Sequence, residues 1–310
     1  MASINTNASA MTALQSLRMT SYAMEKTQSA IATGFRVGKA KDNAAYWSIA
    51  TSMRSDNKAL STVQDALGLG AATVDIAYTA VESAIKVTDE IKKKLVAARE
   101  PGVDRSKIQS EISELQKQLE AISSSASFSG ENWLSVNSTD AGYNGTKSIV
   151  SSFNRSGNTV TIETVDIDIT TTVLFDSATD ATRTGIIDEI RTIGTSSTAV
   201  TVSSLVIGTL TDSVADNIIL EDYIQAVDDV IREMTDAATS LGAISSRVDL
   251  QKEFINQLMD AISRGIGQLV DAEMNEESTR LQALQVQQQL GIQALSIANG
   301  NSQNILALFQ

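Results

Sequence analysis

The sequence predicts a mainly α fold, in which long antiparallel helices from both chain ends form a coiled-coil bundle around a small β-rich central insertion. Three observations carry this reading. Apolar residues recur every seven positions toward both ends of the chain. A single proline stands in 310 residues. Between about 140 and 215 the texture changes to Thr, Ser and β-branched residues.

A first helix is expected within residues 1–33, with Met11, Leu14, Leu17, Met24 and Ile31 as its apolar positions. Gly34 and Gly38 interrupt the pattern and read as a hinge. A second, much longer helix follows. Leu60, Leu67, Val74, Val81 and Leu95 form one track, with polar Thr88 as the exception, and Val63, Gly70, Ala77, Ala84, Ile91 and Ala98 form the other. The 3-4 spacing keeps a narrow seam on one side of a helix. Arg99-Glu100-Pro101-Gly102 reads as a turn, because proline disfavours helix at the residue before it. Asp104 caps a third helix with Ile108, Ile112, Leu115, Leu119, Ile122 and Ala126 on one face.

Strands are expected at Thr159–Val165, Ile167–Leu174 and Ala199–Val206, with a short helix at Ile186–Ile193. This insertion is too small for a large core of its own. The long C-terminal helix then shows Val227, Met234, Leu241, Val248, Ile255, Ile262 and Leu269 at seven-residue intervals. A second track runs through Ile224, Ile231, Ala238, Met259 and Ile266, lapsing at Ser245 and Lys252. Gly265 and Gly267 read as the hinge matching Gly34 and Gly38. A last helix carries Met274, Leu281, Leu284, Leu295, Ile305 and Leu308.

Composition excludes several functions. The chain has no Cys and no His, so Cys/His zinc sites and Ser-His-Asp or Cys-His catalysis are impossible. Formal net charge is -13, and no basic cluster interleaves with aromatics, which argues against nucleic-acid binding. No apolar run reaches a membrane span, and the N-terminus lacks a basic-then-apolar secretion signal. Asp166 and Asp168 alternate with apolar residues as the wet face of a strand does, rather than as calcium ligands. Asn144–Ser148 lacks the glycine spacing of a phosphate loop and reads as a plain turn. The Asn-x-Ser/Thr matches at Asn137 and Asn144 arise readily in a chain so rich in Ser and Thr, and Glu273–Gln289 reads as a solvated helix face. No cofactor is called for.

Charge supports pairing of the ends. Residues 1–46 carry five basic and two acidic residues, whereas 267–310 carry four acidic and one basic. Opposite signs favour association of the two segments. Both ends also retain apolar stripes that further copies of the chain would cover.

Several motifs resemble those of bacterial flagellins, in the same order. Ile4-Asn-Thr-Asn7 precedes the first helix. Thr33-Gly-Phe-Arg-Val37, Ala40-Lys-Asp-Asn-Ala-Ala45 and Ile49-Ala-Thr-Ser-Met53 resemble the family's N-terminal signature. Ala126-Ser-Phe-Ser-Gly130 with Asn132 looks like the segment closing the N-terminal helices, and Ala298–Phe309 is similar to the amphipathic ending. Ala45–Ala50 and Met53–Asn57 look most like the rhizobial branch. The resemblance covers about 1–135 and 220–310.

The resemblance implies a terminal coiled coil (D0) from 1–46 and 267–310. It implies a surrounding bundle (D1) from 47–139 and 216–266, and an outward variable segment at 140–215. It implies a helical homopolymer, possibly with other flagellins, that serves as a motility propeller. Export unfolded through the flagellar type III apparatus follows, with a chaperone, junction proteins and a cap as partners and an extracellular filament as destination. A hook-filament junction protein is the alternative. A flagellin with a peptidase insert would need a His-containing zinc motif, which this chain lacks. Enteric flagellins are sensed by a Toll-like receptor at the helix preceding the turn. The matching stretch is Asp89–Ala97, where Glu90 and Lys94 replace a basic residue and a leucine, so the resemblance implies weak receptor activation. Both positions are expected to be exposed.

Overall fold

A computed structural model describes residues 7–157, 159–178, 183–193 and 198–307, without the side chains of 193, 198, 199 and 301–307. Five helices dominate: α1 (Ala8–Thr33), α2 (Ala44–Ala97), α3 (Arg105–Ser125), α4 (Val214–Val270) and α5 (Met274–Ala307). The chain divides into two compact units, 1–58 with 258–310 and 59–257. The division lies inside α2 and α4.

In the unit formed by 59–257, α2 and α4 run antiparallel. Asp75 accepts a hydrogen bond from Ser245 (2.9 Å), Lys92 pairs with Asp228, and Arg99 pairs with Glu221. Equal steps along one helix match equal steps back along the other. Both tracks of α2 are inside. Leu67, Val74, Val81, Ile91 and Leu95 are fully buried, and Leu60 and Val63 nearly so. Thr88 completes the track, buried with no partner for its Oγ1 among the described residues.

On α4 the Val227 track is the centre of the buried face: Val227, Met234, Leu241, Val248 and Ile255 are fully buried. The expected second track is only half-buried at Ile224, Ile231 and Ala238. Val230 and Ala237, three residues after the central track, are buried instead. A central track flanked on both sides makes a stripe wider than a two-track coiled-coil seam, as helices in a globular bundle require.

The turn after α2 holds the proline, and the Asp104 side chain caps α3 by accepting from Ser106 N–H. Buried Arg105 fastens this corner. Its guanidinium donates to the Ala98 and Thr211 carbonyls, Asp212 and Asn217, at 2.5–3.0 Å. On α3, Ile112 and Leu119 are fully buried.

The central segment is more deeply built in than its composition suggests. Its main feature is an antiparallel hairpin of β4 (Thr146–Ser156) and β5 (Thr159–Asp168), with a bulge between Val150 and Ser152. Gly70 on α2 leaves the space that Ile149 fills; a Cβ there would lie 2.5 Å from Ile149 Cγ2. Gln251 of α4 donates to the Ser151 carbonyl at the bulge (3.0 Å). Ile167, Ile169, Val173, Leu174, Ile187, Val202, Leu205 and Ile207 are all buried.

The expected strand at Ile167–Leu174 ends at Asp168, where Thr170 N–H and Oγ1 turn back onto Asp168 Oδ1. Ile186–Ile193 is not a helix but a turn leading into β7 (Arg191–Ile193), which pairs with β8 (Thr198–Val200). Arg191 pins it by an ion pair with Glu233 on α4. Ala199–Val206 holds the end of β8 and a 3-10 turn at Val202–Ser204.

Candidate self-assembly surface

In the unit of 1–58 and 258–310, α1 lies along α5. Asn7 caps α1, accepting from Ala10 N–H (3.0 Å), and its Nδ2 donates to the Ala298 carbonyl (2.9 Å). The covered positions of α1 include Ala10, Ala13, Leu17, Thr20, Met24, Thr27 and Ile31, with Ser21, Ala23 and Ala30 beside them; those of α5 include Glu277, Leu281, Leu284, Gln288, Gly291, Leu295 and Ala298. Each follows 3-4 spacing, so the two helices share one seam. Leu17 Cδ1 lies 3.2 Å from where a Gly291 Cβ would sit. Small residues here let the backbones approach closely.

The predicted apolar set splits between two faces. Leu17, Met24, Ile31, Leu281, Leu284 and Leu295 belong to the seam. Met11 and Leu14 do not: Ala10 and Ala13 occupy the seam beside them, and Met11 remains 62% exposed. Met274, at the start of α5, is exposed as well. Ile305 lies within α5, and Leu308 falls outside the described residues.

The uncovered apolar stripes expected at both ends are formed by residues that the sequence did not single out. Met19 and Tyr22 on α1, with Val286, Leu290, Ile292 and Ile297 on α5, are all exposed, Tyr22 at 70% and Ile297 at 67%. The signal was present: α5 carries large apolar residues on every side, as a helix buried all round does. Val286, Leu290 and Ile297 share one side of α5 that a single chain leaves in water, and an exposed apolar stripe of this kind marks an interaction site.

The two connections form a hydrogen-bonded clasp. Gly34 ends α1 in the left-handed region (φ 74°), which glycine adopts without penalty. Its carbonyl accepts from Ala272 N–H (2.8 Å), while Arg36 and Val37 N–H donate to the Val270 carbonyl. Val37, Ala50, Ile266 and Val270 form the core beneath, with Met53, Ile262 and Leu269 against it. Arg54 stacks 4.9 Å from the Phe35 ring centroid.

Gly265 and Gly267 are not at the break. Both are helical, and α4 continues to Val270 because Ile266 and Val270 are drawn into that core. The break falls at 271–273 instead. Gly38 lies in the α1–α2 connection, its N–H bonded to Asp42 (3.2 Å).

The opposite charges of the ends are not spent on each other within one chain. Among the described residues no ion pair joins α1 to α5; Arg280 pairs with Glu276 and Glu277 of its own helix (2.9 and 3.0 Å). Glu90 is exposed and pairs with Lys93 (2.9 Å). Lys94 is half-buried rather than exposed, because it pairs with Glu111 across to α3. Both line an open groove with Leu115 and Gln118. Among the described residues there is no group of three or more metal-ligating side chains, and no helix long and apolar enough to cross a membrane.

Comparison with known proteins agrees with this architecture. Residues 4–139 match the family described as the bacterial flagellin N-terminal helical region, and residues 224–309 its C-terminal helical region. Neither match covers the central segment. The chain is 52% identical to flagellin C of Rhizobium meliloti (strain 1021), 45% identical to flagellin A of Rhizobium meliloti, and 43% identical to a flagellin of Brucella melitensis biotype 1, each over the whole of both chains. Paired terminal helices with an uncovered apolar face, a two-helix body and both family matches in order lead to one conclusion: the chain belongs to the bacterial flagellins, structural proteins of the flagellar filament.

Proposed function

We infer that this protein is a filament subunit whose α1–α5 pair polymerises through the apolar face that a single chain leaves exposed. The observation that carries this is the set of large apolar side chains exposed on α1 and α5, Met11, Met19, Tyr22, Leu290, Ile292 and Ile297 among them. Water contact with so many large side chains is removed when copies stack, and each buries roughly 1.5–3 kcal/mol of apolar side chain. Identical subunits joined head-to-tail without ring closure generate a filament. Whole-length likeness to flagellins favours this reading over a hook-filament junction protein.

Export unfolded through the type III apparatus, assembly at the distal end under a cap, and an extracellular destination complete the proposal. A chain without cysteine suits that route, since no disulfide has to form after transit. Changing Tyr22 and Ile297 to Asp tests the surface: subunits should stay folded in the 59–257 unit and fail to polymerise. Normal filaments from that variant would refute the assignment. The Glu90 and Lys94 environment supports weak signalling through the Toll-like receptor that senses enteric flagellins, since the Lys94 charge is committed to Glu111. A reporter-cell assay giving signalling equal to an enteric control would overturn that part alone.

A further inference from the structure

Two asparagines open neighbouring turns in the central segment with the same local hydrogen bond. Asn137 Oδ1 accepts from Thr139 N–H at 3.2 Å, and Asn144 Oδ1 accepts from Thr146 N–H at 3.0 Å. Such a bond polarises the side-chain carbonyl and makes Cγ more electrophilic. The residue that follows differs. Ser138 carries a Cβ, and its N–H is already donated to Asp176 Oδ1 (2.9 Å). Gly145 has no Cβ to obstruct attack, and its N–H has no hydrogen-bond partner among the described residues. Asn144 is exposed, whereas Asn137 is half-buried. The chain's other Asn-Gly step, Asn299-Gly300, lies inside α5, where the helix ladder engages the glycine amide.

We propose that Asn144-Gly145 is a site of spontaneous covalent modification, converting Asn144 to a mixture of aspartate and isoaspartate. The Gly145 nitrogen attacks Asn144 Cγ, forming an N–Cγ bond. The Cγ–Nδ2 bond breaks, and ammonia leaves with the proton that Gly145 nitrogen loses. Water then opens the five-membered imide at either carbonyl, and no oxidant or reductant takes part.

The fold retains this reactive step for a packing reason. A Cβ on Gly145 would lie 2.5 Å from Thr170 Cγ2, so a larger residue here has to displace the Thr170 side chain, whose hydroxyl is bonded to Asp168. The consequence is local. Isoaspartate adds one backbone carbon at the entry to β4, where the Gly145 carbonyl accepts from Ile169 N–H (2.9 Å) and Thr146 pairs with Asp168. Either product also adds a negative charge beside a strand that already carries Asp166 and Asp168.

The test is to hold the folded, full-length protein at mildly alkaline pH and follow it by peptide mass spectrometry. Isoaspartyl methyltransferase with a labelled methyl donor serves as the probe for isoaspartate. Conversion should accumulate at 144 well ahead of 137, and Asn144→Gln should erase the signal from this segment. Gly145→Ala combined with Thr170→Ser removes the clashing methyl, keeps the hydroxyl bond to Asp168, and should slow conversion several-fold with unchanged circular dichroism. Unfolding in denaturant frees the Ser138 amide and should narrow the gap between the two sites. Equal rates at 137 and 144 in the folded chain would overturn the proposal. So would no conversion at 144 over a period in which the free peptide of residues 142–149 reacts.

Discussion

Asp176 and Asp188 are both buried in the central segment, yet their surroundings push them in opposite directions. Burial alone would raise Asp176, but hydrogen bonds from Ser138, Ala178 and Thr184 outweigh it and hold the pKa at about 2. Asp188 accepts the Asp176 N–H (2.9 Å) on Oδ2, and its Oδ1 has no partner among the described residues. Burial therefore pushes it up to about 6, against the pull of that bond and of Arg183. A carboxyl whose folded pKa exceeds its unfolded one binds more protons when folded. Stability should thus fall as pH rises from about 3.8 to about 6, then stay level with respect to this group. The full effect is up to about 3 kcal/mol. Asp188→Asn should flatten that slope and raise the urea midpoint at neutral pH. An unchanged pH profile would show that Asp188 is not the titrating group.

At the scale of elements, long seven-residue repeats were legible because burial on a helix repeats with them. Leu67, Val74, Val81, Leu241 and Val248 are all fully buried. Met11 and Leu14 stand outside the α1–α5 seam because that contact takes the smaller Ala10, Ala13 and Gly291. The helix end at Val270 was illegible because tertiary burial of Ile266 outweighs the poor helix propensity of Gly265 and Gly267. Irregular strands in the centre were missed wherever side chains such as Asp168 and Arg191 direct the backbone.

Charge placed in either seam tests this layer. Ile255→Asp should destabilise the 59–257 unit by at least about 3 kcal/mol and prevent assembly. Leu281→Asp should block assembly by separating α5 from α1, whereas exposed Gln287→Glu should be nearly silent. Electron microscopy showing equal filaments from all three would mean that the register is wrong.

For the whole molecule, the central segment is not a detachable ornament. It supplies Ile149 to Gly70, the Arg191–Glu233 pair to α4, and the acceptors for Arg105, Gln109 and Gln116 between 202 and 212. Shortening the β4–β5 tip around 154–160 should leave thermal unfolding nearly unchanged. Excising 140–215 should cost several kcal/mol by exposing α2, α3 and α4. Equal stability of both deletions would show that the segment packs on nothing essential.

The claim that the terminal pair drives polymerisation is tested most directly by negative-stain microscopy of the full chain beside a chain ending at Glu273. The full chain should form long filaments of regular width, and the chain without α5 should retain a folded 59–257 unit and form none. Regular filaments from the truncated chain would contradict the account.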